Sequence, residues 1–182
     1  PGAEHRESLE SASHAAAARG VTSMIVMPNT DPVIDEPALV DFILRRAAAT
    51  ARVRVLPTAA LTKGLLGETM TEIGLLKEAG AVAFTDGDRS IANARVLRRA
   101  LDYAATFDAL VLAHAEDPEL LKGASATEGE YATRLGLPAA PALAEAMMVE
   151  RDIRLVELTG ARRHFAQIST RAALDTIAAA KA

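Results

Sequence analysis

Four places in the chain put a chemically capable side chain where a short apolar run ends. They are Asn29 in Val26-Met27-Pro28-Asn29-Thr30, Asp86 in Phe84-Thr85-Asp86-Gly87-Asp88, His114 in Ala113-His114-Ala115-Glu116-Asp117, and the segment Gln167 to Ser169. An imidazole leaving an apolar strand beside Glu116 and Asp117 has the chemistry of a metal ligand or a general base. Asp86 could touch a ligand directly. Each position also has a plainer reading. His114 could be a hydrogen-bonded structural histidine, Asp86-Gly87-Asp88 a simple loop, and Asn29 before Thr30-Asp31-Pro32 a turn former. His5 and His14 fall in or before the first helix and suit exposed or packing roles, and Lys63 in Leu61-Thr62-Lys63-Gly64 suits a loop ion pair.

The spacing of these positions says what must hold them. Asn29, Thr58, Asp86 and His114 follow one another at intervals of 29, 28 and 28 residues, close to one strand-plus-helix unit. The local patterns agree. Helices are expected over Glu7–Arg19 (stopping at Gly20), from Asp35-Glu36-Pro37 towards Arg46, and over Thr69–Ala79, Asn93–Phe107, Pro141–Leu158 and Thr170–Lys181. Asp35 and Asn93 are the expected caps, with Pro37 in a first turn. Strands are expected over Thr22–Met27, Val53–Leu56, Ala81–Thr85, Leu110–His114 and His164–Ile168, with a long loop from Ala115 to about Pro138.

Five strands, each followed by a helix, imply βαβ units and a parallel sheet within one domain over residues 1–182. In such sheets ligands gather at the C-terminal ends of the strands. A closed eight-stranded barrel typically takes about 250 residues. Five units are therefore either part of a barrel or an open doubly wound sheet.

Composition narrows the classes. Half of the 182 residues are apolar and only 3% are aromatic, so Ala, Leu, Val and Ile must build the core. The net charge of −4 gives no electrostatic reason to expect nucleic acid or an anionic membrane as partner. There is no cysteine, which excludes disulfides, thiolate metal sites and a thiol nucleophile and accords with a cytoplasmic setting. No apolar run reaches the roughly 18 to 20 residues of a membrane span. The chain opens on Pro1 without a methionine, and processing or truncation is expected. G-x-S-x-G, Walker, H-E-x-x-H and dinucleotide-binding signatures are missing. The run Gly123 to Gly129 reads as a mobile loop.

Several segments, in order and spacing, resemble dihydroorotase, a family of the amidohydrolase superfamily. They include Pro1-Gly2-Ala3-Glu4-His5, Met27-Pro28-Asn29-Thr30-Asp31-Pro32, Leu61-Thr62-Lys63-Gly64 and Ala81-Val82-Ala83-Phe84-Thr85-Asp86. His114-Ala115-Glu116-Asp117, Arg134-Leu135-Gly136-Leu137-Pro138, Met148-Val149-Glu150-Arg151-Asp152 and Ile168-Ser169-Thr170 continue the match. The resemblance implies part of a (β/α)8 barrel of the amidohydrolase type with about five βα units present. It also implies zinc at the strand ends and interconversion of N-carbamoyl-L-aspartate and dihydroorotate in pyrimidine synthesis.

By the same resemblance Asn29 matches the substrate-binding Asn, and His114 the fifth-strand zinc histidine, with Asp86 a further candidate metal residue. Gly87 stands where many members carry a metal-ligating Asp, and Asp88 could replace it only if the loop shifts by one residue. Gln167 stands at the sixth-strand ligand position, and His164, three residues earlier, would point to the opposite face of a regular strand. The first-strand His-x-His pair would precede Pro1, and the catalytic aspartate and last strands would follow Ala182. The expectation is that zinc is bound weakly or not at all by this chain. Beyond the small-molecule substrate, the expected partners are a second copy or aspartate carbamoyltransferase, in a non-catalytic assembly role if the chain is inactive.

Overall fold

The computed structural model describes residues 2–182. The first helix, α1 (Leu9–Ala18), starts on a capping box in which Ser8 and Ser11 satisfy each other's backbone N–H groups. There follow β1 (Ser23–Val26), α2 (Pro37–Thr50), β2 (Arg54–Pro57), α3 (Ile73–Glu78), α4 (Ala94–Thr106) and β3 (Leu110–Ala113). Next come β4 (Ala126–Thr127), α5 (Glu130–Leu135), β5 (Ala139–Ala140), α6 (Leu143–Thr159), β6 (Arg162–Phe165) and α7 (Arg171–Lys181). Asn93 caps α4 as expected, its side chain accepting from Arg95 N and Val96 N. Pro37 opens α2, and Gly160, with φ 68°, ends α6.

β1 pairs in parallel with β2, and β3 with β6. The segment 81–85 joins the two pairs. Val82 N donates to Pro57 O (2.9 Å) and Thr85 N to Ala59 O (2.9 Å). On the other side Phe84 N donates to Leu110 O (2.9 Å), and Phe84 O accepts from Leu112 N (2.8 Å). The pairing therefore runs β1, β2, segment 81–85, β3, β6, in chain order. A doubly wound sheet reverses its order at a switch point; none occurs here among the described residues. With right-handed crossovers that order puts the connecting helices on one face. Among the described residues no closed barrel is formed.

The helix-side core follows from residue spacing. In α4, Leu97, Ala100, Leu101 and Ala104 recur at helical intervals and are fully buried. They pack with Val40 and Ile43 of α2, Leu76 of α3, and Val55, Phe84 and Val111 from the sheet. Each such side chain contributes on the order of 1.5 to 3 kcal/mol when fully buried. Gly74 lets α3 approach Phe107, since a Cβ there would stand 2.6 Å from the ring. The opposite face of the sheet is open, with Ile25 57% and Val82 42% exposed.

Several expected boundaries change. Asp35 does not cap α2: Glu36 holds that position without a side-chain bond, and Asp35 Oδ2 accepts from Gly64 N (2.9 Å). The helix expected from Thr69 starts at Ile73, because Thr69 O accepts from Lys63 N and the Thr71 hydroxyl is tied to Ala60 O (2.7 Å). The strand expected over Ala81–Thr85 keeps a single bridging residue, Phe84.

The loop expected from Ala115 to Pro138 contains α5, flanked by the parallel pair β4–β5. Strands of two residues are too short to leave a periodic signal. The last strand lies at 162–165, not 164–168. Its Arg-Arg-His start hides a nearly buried side chain, that of Arg163, behind a polar sequence. Among the described residues, no helix is long and apolar enough to cross a membrane.

Candidate functional site

The exits of β1, of segment 81–85 and of β3 lie at one end of the paired strands. After β1, the Pro28 carbonyl accepts from Thr30 N (2.8 Å) and Ile34 N (3.0 Å), and the Thr30 hydroxyl donates to Pro32 O (2.7 Å). This turn leaves Asn29 exposed. Turn former and presented side chain are thus the same residue. Across the exit, Gly87 has φ +71°, and a Cβ there would meet the Asn29 side chain at 3.7 to 3.9 Å. Asn29 and Gly87 are neighbours. A side chain at 87 would have to take a left-handed backbone, with its Cβ in ordinary contact with the Asn29 side chain.

Asp86 is 4% exposed and points back beneath the loop. Its Oδ1 accepts from Leu61 N (3.0 Å) and Thr62 N (2.8 Å), and its Oδ2 accepts from the Thr62 hydroxyl. Thr62 Oγ1 in turn accepts from Gly67 N (2.9 Å). Burial raises the Asp86 carboxyl above the ordinary 3.8, against the pull of these donors and of Arg89. Both oxygens are committed to fastening residues 61–67. Asp88, next but one, is exposed.

His114 follows Leu112 in the alternation of β3, on the face away from Val111 and the helices. Its Nε2 lies 2.9 Å from Glu116 Oε2, while Nδ1 is buried without a hydrogen-bond partner among the described residues. The Ser90 hydroxyl donates to His114 O and accepts from Glu116 N (2.9 Å). His164 is registered opposite Leu112 and so shares the His114 face, two pairing rows below. Gln167 lies past the end of β6 and is exposed. His5 and Lys63 are exposed, and His14 accepts from Arg52 Nε (3.2 Å).

The orphaned Nδ1 suits one metal-coordination position. Among the described residues, however, no group of three or more His, Cys, Asp or Glu could hold a metal ion. A zinc site takes three or four protein ligands. These residues therefore do not fit a complete zinc site by themselves.

Sequence reasoning missed Glu145, a buried carboxylate of α6. It accepts from Ser169 N (2.7 Å), Thr170 N (2.7 Å) and both hydroxyls, fixing the turn between β6 and α7. Burial alone would raise its pKa, but the four donors together hold it below the ordinary 4.5. The folded chain thus binds this proton less readily than the unfolded chain. The resulting stability is present above pH 4.5 and is lost as pH falls through the folded pKa. Glu145→Gln is expected to be less stable than the parent at neutral pH, with the gap narrowing in acid. Thermal melts on both sides of that window check it, and a gap that widens in acid would refute it.

A family model described as dihydro-orotase-like matches residues 1–173. The chain belongs to the dihydroorotase-like family. This dihydroorotase-like chain is 48% identical over 181 residues to a dihydroorotase of Syntrophobacter fumaroxidans, a match covering 100% of the chain and 41% of that protein. Against a dihydroorotase of Deinococcus radiodurans it is 46% identical over 181 residues, covering 100% and 44%. The chain spans about two fifths of the length of these curated relatives.

Among solved structures, an L-hydantoinase (dihydropyrimidinase) from Arthrobacter aurescens superposes with a TM-score of 0.78 at 20% identity, over 96% of this chain and 40% of that one. A D-hydantoinase (dihydropyrimidinase) from Thermus sp. gives 0.69 at 22%, over 95% and 39%. These likenesses show a shared α/β fold.

Proposed function

We propose that the protein carrying these residues is a cytoplasmic dihydroorotase-type cyclic amidohydrolase of pyrimidine synthesis, interconverting N-carbamoyl-L-aspartate and dihydroorotate. In this reading residues 1–182 form a single domain with about five βα units of a (β/α)8 barrel. The observation that carries the proposal is the whole-chain match to dihydroorotases, at 48% and 46% identity to two of them, with Asn29 and His114 at one end of the paired strands.

Asn29, exposed on its turn, binds the substrate carboxylate through its amide N–H. His114 offers Nδ1 to the reacting centre. Zinc, when bound in this family, polarises the ring carbonyl and makes hydroxide available near neutral pH. His114 is the candidate ligand here. Asp86 is the weaker candidate, because its carboxylate already serves Leu61 and Thr62.

The test is hydrolysis of dihydroorotate by the full-length native protein. Asn29→Ala is expected to lower kcat/KM by about 10- to 100-fold, the worth of one hydrogen bond to a charged group, mainly through KM. His114→Ala is expected to abolish turnover. Absence of hydrolysis by the parent protein would sink the proposal.

A second reading is favoured by Gly87 and Gln167, which stand at ligand positions of the resemblance. In it the protein is a non-catalytic subunit that assembles with itself or with aspartate carbamoyltransferase. Stoichiometric co-purification with that enzyme, without dihydroorotate hydrolysis, would support it.

A further inference from the structure

His114 is the residue of the site with an unanswered polar atom. Its Nδ1 is buried and lacks a partner among the described residues, whereas Nε2 lies 2.9 Å from Glu116 Oε2. We propose that Glu116 is a positioning residue that fixes His114 as its Nε2–H tautomer and turns Nδ1, as a bare acceptor, towards whatever the site binds. This rests on the reading above only in taking His114 as part of the site.

The reasoning is one of hydrogen-bond inventory. An ionised carboxylate only accepts, so the nitrogen facing Glu116 must carry the hydrogen, and in a neutral ring the other nitrogen is then an acceptor. A buried acceptor without a partner is uncommon and calls for an explanation. A bound group that reaches this nitrogen gives one.

The geometry is held from a third residue. Ser90 donates to the His114 carbonyl and accepts from the Glu116 amide, clamping the two backbones on which the side-chain pair depends. Ser90 stands 24 and 26 residues before them, on the loop after segment 81–85. The histidine is thereby tied to the exit that carries Gly87. Orienting partners of this kind commonly fix the tautomer of a functional histidine.

The experiment uses the full-length native protein, stripped with a chelator and labelled with nitrogen-15 histidine, with the His114 resonances assigned from a His114→Gln variant. The parent is expected to show a protonated Nε2 and an unprotonated Nδ1. Glu116→Gln should keep that pattern, since its amide oxygen still accepts, while Glu116→Ala should lose it to a mixture of tautomers. A proton on Nδ1 in the parent, or an unchanged pattern in Glu116→Ala, overturns the inference. The parent spectrum alone decides if a variant fails to fold. An Nε2–H pattern in a protein that does not hydrolyse dihydroorotate removes the proposed function and supports the positioning role.

Discussion

Asp152→Ala is expected to destabilise the native protein by about 3 to 5 kcal/mol, the cost of leaving a buried charge without its partner. Asp152 on α6 is 1% exposed. Its Oδ1 accepts from Arg151 Nε (3.0 Å) and Nη2 (2.7 Å), and its Oδ2 accepts from Arg163 Nη2. The Arg163 side chain is 7% exposed, and its Nε and Nη1 have no partner among the described residues. Burial weakens the guanidinium's hold on its proton, and the Asp152 carboxylate opposes that effect.

Removing the carboxylate strands this cation between β6 and α6. It also frees Arg151, which ties α6 to Ala92 O (3.0 Å) ahead of α4. The double replacement Asp152→Leu with Arg163→Met is expected to recover most of the loss, because apolar residues of similar volume often replace a buried pair without penalty. Denaturant titration of both variants checks this. A single substitution costing under about 1 kcal/mol, the worth of an exposed pair such as Arg45–Asp41, would refute it.

The same pair shows where the sequence stopped being readable. Strand exits at regular intervals and the helix signals at Asn93, Pro37 and Gly160 are local, and the structure has them where the residues put them. Strand β6 is different. Arg162-Arg163-His164 has no apolar run, and Arg163 counts as a core position only once Asp152, 11 residues earlier on a helix, is known to face it. Glu145 is similar, its partners Ser169 and Thr170 lying 24 and 25 residues on.

The site shows the same division. That Asn29 and His114 lie at strand exits is local information. That Asn29 lies beside Gly87, 58 positions on, is not, and neither is the clamp from Ser90 to Glu116. The chain-order pairing through Phe84 decides between the two sheet types, yet Phe84 sits in a segment whose sequence is equally suited to either.

Asp86→Ala is expected to cost about 3 kcal/mol, since it leaves the buried N–H groups of Leu61 and Thr62 without an acceptor at roughly 1 to 3 kcal/mol each. Asp86→Asn should cost only about 1 kcal/mol. The asparagine oxygen can accept from both amides, and its NH2 can donate to Thr62 Oγ1. The native carboxyl has a similar escape in acid. Once protonated, Oδ2 can donate to Thr62 Oγ1, while burial is what raises the carboxyl's hold on its proton.

The linkage then runs opposite to Glu145. With its folded pKa above 3.8, Asp86 contributes stability that is present below 3.8 and lost as pH rises through the folded value. Relative to the parent, Asp86→Asn should therefore look worst in acid and improve as the pH rises through that window. Melts of the parent and Asp86→Asn across it test the sign. A carboxylate waiting for a metal ion would behave differently, because its oxygens would not already be answered by the backbone. If Asp86→Ala left stability unchanged but abolished metal binding, the loop-fastening role assigned here would be wrong.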